Sequence, residues 1–226
     1  MPLPLFCAEG ASDQEREHVR AATVGPEALP HAIGVAAITC EAESLLEEVG
    51  EASARISALI GAAKQYSQMD RSPLQQVDVH DGLESTLTML KHKLETGIEV
   101  ARDYDRSLPE LPAYAGELNQ VWTNLVDNAV DAMEGMDGRG KLTVRTARDG
   151  DRVLVEIGDN GPGIPEAAAP HILEPFYTTK PVGEGTGLGL DISWRIVVQR
   201  HHGDLRFTSS PGDTRFQVLL PLTQNG

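Results

Sequence analysis

The sequence predicts an α+β fold, a two-layer α/β sandwich with a mixed sheet against helices, preceded by a helical N-terminal segment. Three observations lead there. Residues 118–133 carry apolar positions at helical spacing, and residues 41–69 do so over a longer run. Short apolar runs at 142–144 and 153–157, and again at 205–208 and 216–220, flank the turn signals Asp149-Gly150-Asp151 and Ser210-Pro211-Gly212-Asp213. Such strands are too few and too scattered for a doubly wound sheet, whereas a sheet covered on one face by helices accommodates them.

Residues 1–40 are Ala-rich with scattered Pro and Gly, and only a short helix over 13–22 is expected there. From 41 to 69, Leu45, Val49, Ala52, Ile56, Leu59, Ala63 and Tyr66 alternate spacings of four and three, so they share one stripe of a long helix. That stripe needs a partner, from the same chain or from a second copy. Ser72-Pro73 ends the helix, because the residue before proline is pushed out of the helical region.

A helix over 81–94 presents Leu83, Leu87, Leu90 and Leu94 on one face. Gly97 interrupts, Ile98-Glu99-Val100 reads as a short strand, and Pro109 and Pro112 lie in a connection ending near Ala113. After the 118–133 helix and the first strand pair come 158–187, rich in Gly and Pro, then a helix from Leu188 to about His201 and the closing strands. The expected division is a helical segment over 1–72 and a compact domain over 78–222.

Composition narrows the function. The chain has 226 residues, 40% of them hydrophobic but only 4% aromatic, so the core must be built from aliphatic side chains. Its formal charge of -15 repels nucleic acid and anionic membrane, so neither is expected as a partner. Any phosphate-bearing ligand then needs a local cradle that works against the global field. Cys7 and Cys40 make no metal cluster or disulfide framework, which fits reduced thiols and a cytoplasmic location. No run approaches the ~18 apolar residues of a membrane span, although a parent protein could carry one.

Three constellations carry the chemistry. Asn124 and Asn128 are four apart on one helix and emerge on one face, where amide oxygens could reach a hard divalent cation whose other ligands are phosphate oxygens and water. Glu117 and Asp131 on the same helix could serve as bases or be surface charge. Asp159-Asn160-Gly161-Pro162-Gly163-Ile164 follows a strand, and a carboxylate there can accept a hydrogen bond from a purine amine. Gly183-Glu184-Gly185-Thr186-Gly187-Leu188-Gly189-Leu190 leads into a helix, so backbone N–H groups and the helix terminus can bind an anion without side-chain charge. It lacks the Lys-[Ser/Thr] ending of a P-loop. Just upstream, Phe176-Tyr177-Thr178-Thr179-Lys180 offers hydroxyls and one cation in a lid-like stretch. Taken singly, each element also fits a plain structural role; their order is what is specific.

From Asn124 to Leu190 the chain resembles the ATP-binding domain shared by histidine kinases, type II topoisomerase subunits, the Hsp90 chaperones and the MutL mismatch-repair proteins. Glu174-Pro175-Phe176-Tyr177-Thr178-Thr179-Lys180 and Gly185-Thr186-Gly187-Leu188-Gly189-Leu190 resemble the histidine-kinase branch. The resemblance implies ATP and Mg2+ as cofactors, and transfer of the γ-phosphate to a histidine. It implies that Asn128 is the metal ligand with Asn124 beside it, and that Asp159 holds the adenine amine while Gly161, Gly163 and Ile164 shape the wall around the base. Phe176 would anchor the lid with Thr178, Thr179 and Lys180 at its base. Gly185, Thr186, Gly187, Leu188, Gly189 and Leu190 would enclose the phosphates and place the next helix. Asn124, Asn128 and Lys180 are the candidate catalytic residues.

The match departs at one point. In this family the phosphorylated histidine is followed by Glu or Asp and, four positions on, by Asn or Thr and Pro, and none of the seven histidines has that setting. His80 precedes Asp81 but follows the long helix. The 41–69 helix resembles the second helix of a dimerising hairpin, so the expected chain is a fragment or a shortened protein, with the histidine supplied by a missing segment or another chain. Expected partners are a histidine-bearing dimerisation domain, a response regulator and a second copy through the N-terminal helix. The alternatives are an ATP-binding regulatory module without phosphotransfer and a serine kinase of the anti-sigma type.

Overall fold

The computed structural model describes residues 45–46, 49, 74–95, 97–136, 138–180 and 185–223. The chain divides into two compact units, Met1–Ala52 and Ser53–Gly226. In the first, the described residues Leu45, Leu46 and Val49 are helical and exposed. The helix expected over 13–22 and the rest of the one over 41–69 lie outside the described residues.

In the second unit the elements follow from burial pattern. Strand β1 (Gln75–Val77) leads to helix α1 (Val79–Met89) and the single turn α2 (Lys91–Leu94). Strands β2 (Ile98–Tyr104) and β3 (Leu111–Ala113) precede the long helix α3 (Ala115–Ala132). Strands β4 (Gly140–Asp149) and β5 (Arg152–Asp159) form a hairpin whose turn uses Gly150 at φ 61. Helix α4 (Gly189–Trp194) continues with wider, i→i+5 winding over Arg195–Arg200, and β6 (Asp204–Ser210) and β7 (Asp213–Pro221) close the chain.

The main sheet has the order β2-β4-β5-β7-β6; β2 runs parallel to β4 and every other pair is antiparallel. Alternation decides which face is covered. Leu142, Val144, Val153, Val155, Ile157, Phe216, Val218 and Leu220 point to the helices and are buried, whereas Lys141, Thr143, Arg145, Gly158, Arg215 and Gln217 belong to the other face. Helix α3 buries Leu118, Val121, Trp122, Leu125, Val126 and Ala129 against the sheet. Trp122 is fully enclosed, and removing roughly 200 Å² of aromatic surface from water contributes about 5 kcal/mol. The expected two-layer arrangement of mixed sheet and helices is the one observed.

Details differ from the sequence reading. Helix α1 starts at Val79, where Asp78 caps it by accepting from the His80 N–H at 2.8 Å, and the chain turns at Leu90 before α2. Strand β2 runs on to Tyr104, well beyond Val100, because its parallel register with β4 holds to Thr146. The connection around Pro112 contains β3, paired antiparallel with β1; Gln75, Gln76 and Pro112 give neither strand an apolar alternation to read. Among the described residues no helix is long and apolar enough to cross a membrane.

Two buried histidines pin the layers. His80 Nδ1 lies 2.6 Å from Asp78 Oδ1 and its Nε2 lies 3.0 Å from Thr146 Oγ1, tying the start of α1 to β4. His201 Nε2 accepts from the Tyr114 N–H at 3.1 Å, and its Nδ1 is 2.8 Å from the Ile196 carbonyl. The first bond needs a bare Nε2, so the second makes Nδ1 the protonated nitrogen and the ring neutral. The imidazole thereby joins the end of the α4 winding to the residue that begins α3.

Burial pushes the His201 pKa below its ordinary value, with Arg200 and His202 adding to the effect. A histidine whose folded pKa is depressed contributes stability that is complete above the unfolded value of about 6.5 and is lost as pH falls below it. Denaturant unfolding between pH 7.5 and 5 should therefore show stability falling on acidification, with a shallower slope in His201→Gln. An identical slope in that variant would remove His201 as the cause.

Candidate nucleotide site

The polar ridge of α3 organises the site. Asn124, Asn128 and Asp131 follow one another at helical spacing on the side away from the apolar stripe. Asn124 is a clamp: its Nδ2 donates to the Gly189 carbonyl at 2.9 Å and to Ser193 Oγ at 3.1 Å, while its Oδ1 accepts from Gln120 at 2.8 Å. Ser193 in turn donates to the same carbonyl at 2.8 Å. The sequence pairing of Asn124 with the glycine segment is thus present as direct contact. The amide of Asn128, one turn on and half-buried, hydrogen-bonds to nothing among the described residues.

At the end of β5, Asp159 is 8% exposed and its Oδ1 accepts from the Gly161 N–H at 2.9 Å. Burial raises its pKa, and the nearby Asp213 carboxylate adds to the rise. A Cβ on Gly161 would come within 2.8 Å of the Ala132 carbonyl at the end of α3. Gly163 has φ 85 and a Cβ there would lie 2.9 Å from the Ser210 backbone. Ile164 packs on the core while its N–H donates to Ser209 Oγ at 2.8 Å. The 159–164 turn is therefore fixed between the end of α3 and the β6–β7 hairpin.

The third segment folds back on itself. Phe176 is 60% exposed and sits at φ 67, a left-handed conformation costly for an aromatic residue. Its N–H donates to the Gly187 carbonyl at 2.9 Å, and Gly187, at φ 65, packs so tightly that a Cβ would come within 2.7 Å of the Phe176 carbonyl oxygen. Thr178 Oγ1 accepts from the Lys180 N–H at 3.1 Å and fills the space beside Gly185. Thr179 is exposed. Thr186 Oγ1 accepts from the Leu188 N–H at 3.3 Å, and Leu188 precedes α4, whose Leu190 packs on the core.

The Lys180 ammonium pairs with Asp131. Lys93 of α2 lies 2.5 Å from Asp127 and 3.5 Å from Asp131, and its bond to Asp127 raises its pKa. The two acids considered on α3 separate: Glu117 is buried at the far end beside Arg200 Nε at 3.4 Å, with Arg200 over the Tyr114 ring, whereas Asp131 belongs to the site. The ionic cluster with Lys93 and Asp127, and the support of Asn124 by Gln120 and Ser193, were not anticipated. Only the helical spacing of 120, 124, 127, 128 and 131 hinted at a shared surface.

The donor set fits a nucleotide with magnesium. A buried carboxylate at a strand end, two positive-φ glycines against backbone and an amide oxygen without a protein partner are what a base, its phosphates and a hard cation require. Among the described residues no three His, Cys, Asp or Glu side chains form a metal cluster. A separate hollow of about 400 Å³, lined by Lys141, Thr143, Arg145, Glu156 and Arg215, opens on the helix-free face of the sheet and meets this site only at the strand end around Asp159 and Asn160.

Comparison with known proteins identifies the fold family. Residues 114–224 match the family described as "Histidine kinase-, DNA gyrase B-, and HSP90-like ATPase". The sensory histidine kinase/phosphatase NtrB of Salmonella typhimurium is 37% identical over 154 residues, covering 64% of this chain and 43% of NtrB. This chain thus spans less than half of that relative. The catalytic domain of histidine kinase ThkA superposes with a TM-score of 0.60 at 25% identity, covering 67% of this chain and 99% of that one. Full-length ShkA in complex with AMPPNP superposes with a TM-score of 0.58 at 28% identity, covering 69% of this chain and 32% of ShkA. The domain that contains Asn124, Asp159 and Gly187 belongs to this ATPase family and is the catalytic ATP-binding domain of a sensor histidine kinase family member.

Proposed function

We propose that this domain binds ATP with magnesium and transfers the γ-phosphoryl group to a histidine carried by another segment or another chain, with a response regulator as the onward acceptor. The observation that carries the reading is the unpartnered amide of Asn128, one turn from the Asn124–Gly189 clamp. The NtrB relative, a sensory histidine kinase/phosphatase, and the ShkA complex with AMPPNP support it.

Each residue has a task. Asp159 accepts the adenine amine with its buried carboxylate, and Gly161, Gly163 and Ile164 form the wall beside the base. Asn128 offers its amide oxygen to magnesium, and Asn124 keeps α4 against α3 so that the two segments share one site. Backbone N–H groups over 185–190 bind phosphate oxygens through fixed dipoles, which suits a molecule of charge -15. Thr178, Thr179 and Lys180 flank the phosphates below Phe176. Magnesium, when bound, neutralises phosphate charge and helps align the phosphoryl group for attack by an imidazole. Pairing through the N-terminal helix would dock the histidine-bearing dimerisation domain of another chain, and would equally allow a homodimer.

Asn128→Asp should weaken magnesium-dependent ATP binding about tenfold, a change of ~1.4 kcal/mol, in calorimetric titration. Asp159→Asn should weaken adenine recognition, and wild-type affinity should fall on acidification at a pH above the ordinary aspartate value of about 3.9, because burial raises this pKa. The same raised pKa makes Asp159 favour the fold as pH falls, opposite in sign to His201. Unchanged affinity in either variant would remove that residue from its role.

Gly187→Ala combines a left-handed backbone with a collision at Phe176, so it should cost more than about 1 kcal/mol of stability and reduce ATP affinity. A melting temperature equal to wild type would contradict the tight packing.

Transfer itself is read with radiolabelled ATP. The chain alone should retain little label, and a protein bearing a histidine-containing dimerisation domain should acquire acid-labile label when mixed with it. Label in neither, despite ATP binding, would favour a regulatory module.

A further inference from the structure

The ridge of α3 places Asp131 three residues past Asn128, about 5 Å along the helix axis. Its two oxygens hold two different ammonium groups: Lys180, from the segment below Phe176, on one, and Lys93, from α2, at 3.5 Å on the other. Lys93 is anchored independently by Asp127 at 2.5 Å. The arrangement is asymmetric in a useful way. If Lys180 departs, Asp131 keeps Lys93 as a neighbour, so no carboxylate is left bare. Lys93, by contrast, is shared between two helical carboxylates and stays.

The four side chains are only partly buried, between 29% and 39% exposed, so water can cover either partner during an exchange. An ion pair in such a setting is weak and is readily displaced by an anion of higher charge. We infer that Asp131 is a positioning residue, resting on the nucleotide-site reading above: it keeps the Lys180 ammonium beside Asn128 while no nucleotide is bound and yields it to phosphate oxygens when a triphosphate arrives. The carboxylate pre-orients the cation and also competes with the ligand for it. Its net effect is to lower affinity for the triphosphate through Lys180, and it has no hold on the base.

The test is a double-mutant cycle read by calorimetric titration with Mg-ATP on wild type, Asp131→Asn, Lys180→Met and the double variant, with adenosine titrated by NMR alongside. Asp131→Asn should bind Mg-ATP about 2- to 5-fold more tightly. Lys180→Met should bind it more weakly, and the gain from Asp131→Asn should shrink in the Lys180→Met background. Adenosine affinity should not change with Asp131. A Mg-ATP affinity unaltered by Asp131→Asn, an undiminished gain without Lys180, or an equal gain for adenosine would each overturn the inference while leaving the nucleotide site intact. Failure of the wild-type chain to bind Mg-ATP would sink the site reading and the inference with it.

A measurement on the unaltered chain guards against a variant that folds poorly. The carboxylate carbon resonance of Asp131 should move on addition of Mg-ATP and stay in place with adenosine. A resonance indifferent to Mg-ATP at saturation would overturn the exchange.

Discussion

Everything in the second unit is referenced to the burial of one stripe of α3 on the sheet. Leu118, Val121, Trp122, Leu125 and Val126 are almost wholly enclosed, and that packing fixes the rotation of the helix about its axis. Once the rotation is fixed, Asn124, Asn128 and Asp131 have no choice of direction. The glycine segment reaches the ridge through the Asn124 clamp, and the turn at 159–164 reaches the helix end through the close approach of Gly161 to Ala132. A helix interior tolerates asparagine poorly because its amide competes for backbone bonds, and here the competition is resolved by a carbonyl and a hydroxyl of α4.

Much of this was legible in the sequence, for a physical reason. Strands such as β4 and β5 have one face on the core and one open, so they alternate, and α3 is amphipathic over its whole length. The glycines of the site announce themselves because positive φ at Gly163 and Gly187 admits little else. Elements held by neighbours rather than by their own pattern were not legible. Strands β1 and β3 exist through three paired residues each, and one of these is Pro112. The wider winding over Arg195–Arg200 leaves no periodic mark in six residues, and His201 Nδ1 lies against the Ile196 carbonyl within it. The Lys93–Asp127 contact spans α2 and α3, and no local spacing foretells it.

The acidic composition also reads differently with the structure in view. A charge of -15 argued that phosphate would need help from backbone dipoles. The described residues add a second device, two lysines held by Asp127 and Asp131, carboxylates of the helix that carries Asn128. Cations can therefore stand ready in an acidic molecule without creating a basic patch open to unrelated polyanions. The opposite helix end is different in kind. There Tyr114, Arg200 and His201 are joined by an edge-on ring contact, a guanidinium over the Tyr114 ring and the Tyr114–His201 hydrogen bond.

The outer strands of the sheet have their own consequence. Among the described residues, strands β2 and β6 each have one unpaired backbone edge, and Glu99, Arg102 and Asp103 on one and Asp204 and Arg206 on the other are set along it. Extending the sheet with a strand from another molecule would force these charged groups into a crowded, poorly hydrated seam. Polymerisation by β-addition is therefore discouraged at both ends, and identical domains can be crowded together without zipping into fibres.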